Sequence, residues 1–222
     1  MAVARGALKR KKFPRLLELA AMQAGCVTAA QARAVGYSPR SLVHHVAAGH
    51  LLRISRGLYR LAGFPNGPHE ETIAAWLKLQ PRGAVVSHET ALALHGLACG
   101  QADDAPIHLT LPRTKRPRSR RPEPTIAAHP IAAHPIAVHT TTVPIPSADV
   151  TSRAGVRLTT LARTIVDVAE LGADPGLVLD ATERAITAAI LTPADLRRAV
   201  EHRSARVRTL VEGAIQEACA SR

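Results

Sequence analysis

The side chains with the clearest chemical pattern lie between Arg40 and Arg56, where three arginines and three histidines occur and no acidic residue does. Guanidinium groups bind phosphate oxygens and the edge of guanine, and serine can contact either base type. A carboxylate at these positions would be repelled by a phosphate backbone, which supplies a large share of a protein's affinity for nucleic acid. The exclusion of carboxylates therefore predicts a surface that faces an acidic polymer.

The positive charge of the chain is concentrated at its N-terminal end. The 222 residues carry a formal net charge of +12. Residues 1–65 contain eleven Lys and Arg against one acid, and residues 106–125 contain six against one. From residue 126 onward the count is ten against ten. A basic patch of this kind is typical of nucleic-acid binding, so we expect the two ends of the chain to have different roles.

Three short helices are predicted in the basic region. The first covers about 13–25, where Leu and Ala recur at three- and four-residue steps. The second begins after Thr28, which can form a capping box with Gln31. The third begins after Ser38, with Pro39 at the first helical position.

A two-stranded hairpin is predicted next, in the sequence LLRISRGLYRL. Apolar and polar residues alternate up to a turn at Arg56 and Gly57, and the alternation then resumes. Three helices followed by a basic hairpin is the order of a winged helix-turn-helix. We assign this domain to residues 13–65, preceded by a basic tail at 1–12 and followed by a second region at 66–222.

The winged helix-turn-helix predicts which side chains contact DNA. Its third helix enters the major groove and its hairpin lies against the neighbouring backbone or minor groove. The predicted DNA-binding residues are Arg40, Ser41, His44 and His45 on the helix, Arg53 and Arg56 on the hairpin, and Lys9, Arg10, Lys11 and Lys12 in the tail. The alternative is a solvated basic face on a structural unit, with both histidines merely exposed.

The second region is expected to be a mixed α/β segment followed by helices, so the fold class is α+β and mostly helical. Strands are predicted at AVVSH and IHLTLPR, and Ser87 is predicted to cap the helix ETALALHGL. Thr159 or Thr160 and then Thr192 are predicted to begin later helices. The run RTKRPRSRR at 113–121 is predicted to be a loop, either plain surface or a second phosphate contact.

The sequence predicts neither an enzyme nor a metal site nor a cofactor. It contains no phosphate-binding loop, nucleophile elbow or HExxH motif. The three cysteines lie far apart and in no CxxC spacing. The repeat IAAHPIAAHPIAVHT places His129, His134 and His139 five residues apart, which sends successive side chains to different faces of a strand or a helix. We therefore expect a tandem duplication in a strand or loop rather than a set of ligands.

Four blocks of the sequence resemble one protein family in their order. They are VTAAQARAVGYSPRSLVHHVAAGHLLRISRGLYRL, GAVVSHETALALHGL, IHLTLPR and LTTLARTIVDVAE, which together span roughly residues 25–170. The chain is similar here to the AbiE-type antitoxins of the AbiEi family, which have a single segment where this chain has the repeat. The resemblance implies a bacterial cytoplasmic antitoxin paired with a nucleotidyltransferase-like toxin. Its winged helix is expected to repress the shared promoter, and the remainder to counter the toxin.

The resulting hypothesis is an antitoxin that binds double-stranded DNA at its own promoter, with a homodimer on the DNA as a possibility. No apolar run approaches the length of a membrane span, and the basic N-terminus lacks the apolar segment of a secretory signal. We therefore expect a cytoplasmic protein with no membrane partner. Two alternatives stay open: a protein-interaction module that binds and blocks a toxin, and a stand-alone transcriptional repressor.

Overall fold

The protein is described by a computed structural model over residues 2–97, 105–116 and 134–220, with the backbone alone at 2–11. Residues 117–121 of the basic run and His129 of the repeat lie outside the described residues. The helices of the described part are α1 (Ala2–Ala21), α2 (Ala29–Ala34), α3 (Pro39–Ala47), α4 (Glu70–Leu79), α5 (His88–Leu94), α6 (Leu161–Leu171), α7 (Pro175–Thr187), α8 (Pro193–Val200) and α9 (Ala205–Ala220). None of these helices is both long and apolar enough to cross a membrane.

The strands form two sheets. Within the described residues they are β1 (Cys26–Thr28), β2 (Leu51–Ser55), β3 (Leu58–Leu61), β4 (Val85–Val86), β5 (Ile107–Pro112), β6 (Ile136–Thr141), β7 (Val150–Arg153) and β8 (Val156–Thr159). A three-stranded antiparallel sheet has the order β1-β3-β2, and a five-stranded mixed sheet has the order β6-β5-β4-β8-β7. The predicted α+β, mostly helical class is confirmed.

The helix starts in the N-terminal region follow the predicted capping chemistry. Thr28 Oγ1 accepts a hydrogen bond from the Gln31 backbone N–H, and Gln31 Oε1 accepts one from the Thr28 N–H. Ser38 Oγ accepts from the Ser41 N–H, and Pro39 is the first residue of α3. These bonds satisfy backbone donors that a helix start leaves without partners, so α2 and α3 begin at fixed residues.

Two features of the N-terminal region differ from the sequence prediction. A short strand, β1, precedes α2 and pairs with β3 through the register Val27↔Tyr59. In addition, α1 begins at Ala2 rather than near residue 13 and continues through Pro14. The backbone of the basic run at 9–12 is therefore helical, where we expected a separate tail.

The second region carries a hairpin that the sequence prediction missed. Strands β7 and β8 pair antiparallel around Ala154 and Gly155, which both adopt positive φ, at 51° and 78°. Two successive residues with positive φ are the geometry of a tight hairpin turn. β8 also pairs in parallel with β4, so the hairpin completes one side of the five-stranded sheet.

The C-terminal helices pack around an apolar core of their own. Helices α6 to α9 bury Val, Leu, Ile and Ala against one another, with Leu92 and Leu97 at one end. Thr192 forms the predicted capping box with Asp195. Thr160 occupies the cap position of α6, but its side chain makes no capping bond.

Packing crosses the boundary that we predict near residue 65. Ile54 and Leu58 of the winged helix share a core with Trp76 of α4. Arg60 and Glu70 form an ion pair with 2.8 Å between Nη2 and Oε1, and only 4% and 8% of their side chains are exposed. The boundary stays a prediction, and the second region packs directly against the winged helix.

Candidate nucleic-acid interface

The outer face of α3 is formed by Arg40, Val43, His44 and Ala47, all of which are exposed. Positions i, i+3, i+4 and i+7 share one side of a helix. Leu42 is buried on the opposite side and anchors α3 to the core of the winged helix. The structure therefore presents a guanidinium, an imidazole and two small apolar side chains together.

Val43 was not among the residues predicted to contact DNA, all of which are charged or polar. Its side chain is 68% exposed. An exposed valine beside an arginine suits contact with the methyl group of thymine, which is an apolar feature of the major groove. The spacing of three residues from Arg40 to Val43 and of four from Val43 to Ala47 was the signal that could have identified it.

Ser41 and His45 lie at the side of α3 and are only half-exposed. The His45 ring packs edge-on against Tyr37, with ring centroids 5.4 Å apart. Its Nδ1 lies 3.3 Å from His50 Nδ1. Partial burial lowers the pKa of His45, with His50 and His44 adding to the shift. His45 therefore contributes packing and little charge at neutral pH.

The wing is short and is held against α2. Arg53 on β2 and Arg56 at the turn are both exposed, and Gly57 supplies the positive φ of 76° that the turn requires. The Gly57 carbonyl accepts a hydrogen bond of 2.8 Å from the Ala29 N–H at the start of α2. This bond fixes the wing tip, and with it the two arginines, relative to the α2–α3 unit.

Lys12 has a defined partner within the protein. Its Nζ donates a hydrogen bond of 2.7 Å to the Gly36 carbonyl in the turn between α2 and α3. The C-terminal end of the basic run is therefore next to the turn that leads into Arg40. Lys9, Arg10 and Lys11 precede it on the same helix, where the structure describes the backbone alone.

A second surface feature is a cleft of about 1080 Å³ between the β7–β8 hairpin and helices α6 and α8. Its walls carry charges of both signs. Arg163 contacts Asp167 and Asp149, at 2.7 and 3.1 Å. Burial raises the pKa of Asp167, and the neighbouring Arg163 offsets part of that rise. A cleft whose walls carry charges of both signs is compatible with a protein partner.

His95, at the edge of this cleft, predicts a pH dependence of stability. Burial lowers its pKa, although its Nε2 bond of 2.9 Å to the Thr159 carbonyl opposes the shift. His95 is therefore protonated near pH 6.5 in the unfolded chain but stays neutral in the folded chain. The free energy of unfolding falls as pH falls through that range. His95→Gln is expected to reduce the slope of the free energy of unfolding against pH, by at most about 1.4 kcal/mol per pH unit. Urea unfolding between pH 7.5 and 5, with exposed His202→Gln as control, measures it.

Three histidines meet beside the five-stranded sheet. His88 at the start of α5, His108 on β5 and His139 on β6 place one nitrogen each within 4.8 Å of the others. Burial lowers the pKa of all three rings, to about 3 for His88. The spacing of the repeat gives no sign of this meeting, because only His139 belongs to it. His134 instead contacts Glu71.

Ser87 does not cap α5 as predicted. It occupies the cap position but makes no side-chain bond to the helix backbone. Its hydroxyl is fully buried and lies 2.7 Å from Thr110 Oγ1 and 2.9 Å from His88 Nδ1. The side chain therefore orients His88 toward the other two histidines.

Comparison with known proteins agrees with the N-terminal architecture. Residues 14–62 match the family model described as "Transcriptional regulator, AbiEi antitoxin". The fold is similar to that in the crystal structure of the RV2827C protein from Mycobacterium tuberculosis, with a TM-score of 0.57 and 15% identity over 94% of this chain and 77% of that one. This likeness concerns the fold alone. Curated proteins yield no significant match.

The matched segment contains α3 and the whole wing, including every predicted contact residue from Arg40 to Arg56. A match to transcriptional regulators supports the role of a DNA-binding regulator or antitoxin, a class that is not typically enzymatic. The winged helix at residues 14–62 is thus similar to the AbiEi antitoxin transcriptional regulators over this segment.

Proposed function

We propose that this protein is an antitoxin that represses its own promoter through the winged helix and counteracts a nucleotidyltransferase-like toxin through the rest of the chain. The observation that carries the proposal is the outer face of α3, where Arg40, Val43 and His44 project together. The sequence before Glu70 contains a single acidic residue, Glu18, so little negative charge opposes DNA there. Such a face can donate to base edges and contact a thymine methyl at once.

The location of the charge supports this assignment. Arg40 lies in the first turn of α3, where the backbone dipole is positive and attracts anions. Arg53 and Arg56 extend the basic surface along the wing, and Lys12 adds a charge at the α2–α3 turn. Phosphate contacts of this kind fix the position of a domain on the duplex, while the helix face selects the sequence.

The wing is expected to act mainly through phosphates. Arg56→Ala should weaken binding to specific and scrambled duplexes alike and reduce the slope of log affinity against log salt by about 0.9, because one counterion fewer is released. A salt series of fluorescence-anisotropy titrations measures the slope. An unchanged slope in the folded variant would remove Arg56 from the interface.

The antidote role is assigned to the second region because its charges nearly balance and its cleft carries both signs. The full-chain variant Arg40→Ala/Arg56→Ala should release a reporter placed under the protein's own promoter and still protect cells from the toxin of the neighbouring gene. Growth on toxin co-expression and reporter output are scored in the same strains. Full-chain variants are required, because the core spans residue 65.

These readouts also separate the alternatives. If the double variant loses both protection and repression, antidote action through the promoter or through the winged helix itself is favoured. Repression without any protection would favour a stand-alone repressor. Protection by the unaltered chain without any binding to promoter DNA would favour a module that captures the toxin, with the mixed-charge cleft as its first candidate surface. Homodimer formation on the operator is tested by the mass of the complex in solution.

A further inference from the structure

We propose that His88, His108 and His139 bind one divalent transition-metal ion, zinc in preference, which ties the edge strand β6 to the β4–α5 junction. The site lies in the second region, away from α3 and the wing, and is independent of the DNA-binding proposal. It would fix the edge strand by coordination rather than supply a reaction.

The donor spacing fits a small ion. The three ligand nitrogens lie within 4.8 Å of one another, and His108 Nδ1 is 2.9 Å from His139 Nε2. Two nitrogens bound to one tetrahedral zinc at 2.0–2.1 Å lie about 3.3 Å apart, so His108 and His139 are already close to a shared ion. Imidazole is a preferred ligand of zinc, copper and nickel.

The supporting contacts match those of metal-binding histidines, which usually engage their second ring nitrogen with a carboxylate or another polar group. His88 Nδ1 is held by Ser87 Oγ, which leaves Nε2 free for an ion. His108 turns Nδ1 toward the cluster and Nε2 toward the Glu89 carboxylate, 3.3 Å away. Two of the three rings therefore have an orienting partner.

The cluster also has features that apolar packing leaves unexplained. His88 has a φ of 53°, a left-handed conformation that a non-glycine residue keeps only where its surroundings hold it. His139 is half-exposed and offers an entry path. The His88 and His139 rings now stack with centroids 3.9 Å apart, and coordination would turn their edges toward the ion.

Zinc binding by the metal-stripped full chain tests the proposal. Calorimetric titration with zinc chloride is expected to show one equivalent bound and to raise the thermal unfolding midpoint, because an ion that binds only the folded state stabilises it. Cobalt in its place should give the intense visible absorption of a tetrahedral site. His139→Asn and His108→Asn should each weaken zinc binding more than tenfold, and Glu89→Gln should weaken it less.

The double variant His45→Asn/His50→Asn is the matched control, since it removes a pair of neighbouring histidines on the winged helix and should leave the zinc affinity unchanged. His139 lies on an edge strand, so His139→Asn is expected to fold. This variant therefore tests zinc binding even if His108→Asn fails to fold. No binding at one equivalent, binding retained in His139→Asn, or binding lost in the control would each overturn the proposal. Removal of zinc should leave the DNA affinity of the unaltered chain unchanged.

Discussion

Replacing Arg40 with alanine is expected to lower the affinity of the full chain for its operator by about 5- to 150-fold, which corresponds to a loss of roughly 1–3 kcal/mol. The guanidinium is exposed in the first turn of α3, beside Val43 and His44. A bidentate bond from arginine to guanine is the commonest specific contact in the major groove, and alanine removes both of its hydrogen bonds. Competition between operator and scrambled duplexes measures the loss.

Two control variants make this test specific. Arg208→Ala removes the same charge from an exposed position on α9 and should leave the affinity within error. Arg40→Lys keeps the charge but cannot form the bidentate bond, so it should retain non-specific binding and lose most of the preference for the operator. Equal affinities for Arg40→Ala and the unaltered chain would show that α3 does not read the DNA with this residue.

The largest effect on stability is expected at the Arg60–Glu70 pair. Arg60→Ala should lower the free energy of unfolding by about 3–5 kcal/mol, because it leaves the buried Glu70 carboxylate without its cation. The same guanidinium also donates to Asn66 Oδ1 at 2.9 Å and to the Pro65 carbonyl at 3.2 Å, so the variant frees the segment that joins the two regions. Urea unfolding of the full chain measures the change.

An exposed ion pair provides the comparison. Arg198 is 74% exposed and contacts Asp195, so Arg198→Ala should cost less than about 1 kcal/mol. The double variant Arg60→Met/Glu70→Leu should recover much of the stability lost in Arg60→Ala, since apolar residues avoid the desolvation of both charges. A small effect of Arg60→Ala would mean that Glu70 becomes solvated and that the junction opens at little cost.

The sequence predicted the parts of the fold that depend on local chemistry. The starts of α2 and α3 follow from Thr28 with Gln31 and from Ser38 with Pro39, because capping is decided within four residues. Strand β1 has three residues, too few for a periodic pattern, and pairs with a strand more than 30 residues away. Such pairing is set by tertiary contacts, which single-sequence patterns do not contain.

The residues of the candidate sites also divide into those that local sequence patterns predict and those that only tertiary contacts bring together. The exposure of Arg40 and His44 on one face of α3 could be predicted because helical spacing is a local property, and their contact with DNA stays a prediction. Val43 was not predicted, since hydrophobicity alone does not tell an exposed residue from a buried one. The histidine cluster joins positions 88, 108 and 139, and only the order of strands in the sheet brings them together.

The most direct test of the central claim is a salt series of anisotropy titrations, with the purified full chain and the duplex upstream of its own coding sequence. Arg40, Arg53, Arg56 and Lys12 are the basic side chains proposed to contact DNA whose positions the structure describes. Phosphate contacts by Arg53, Arg56 and Lys12 would give a slope of log affinity against log salt of about −2.7, and a scrambled duplex should bind more weakly at every salt concentration. A slope near zero, or no binding at low salt by the folded chain, would contradict the account.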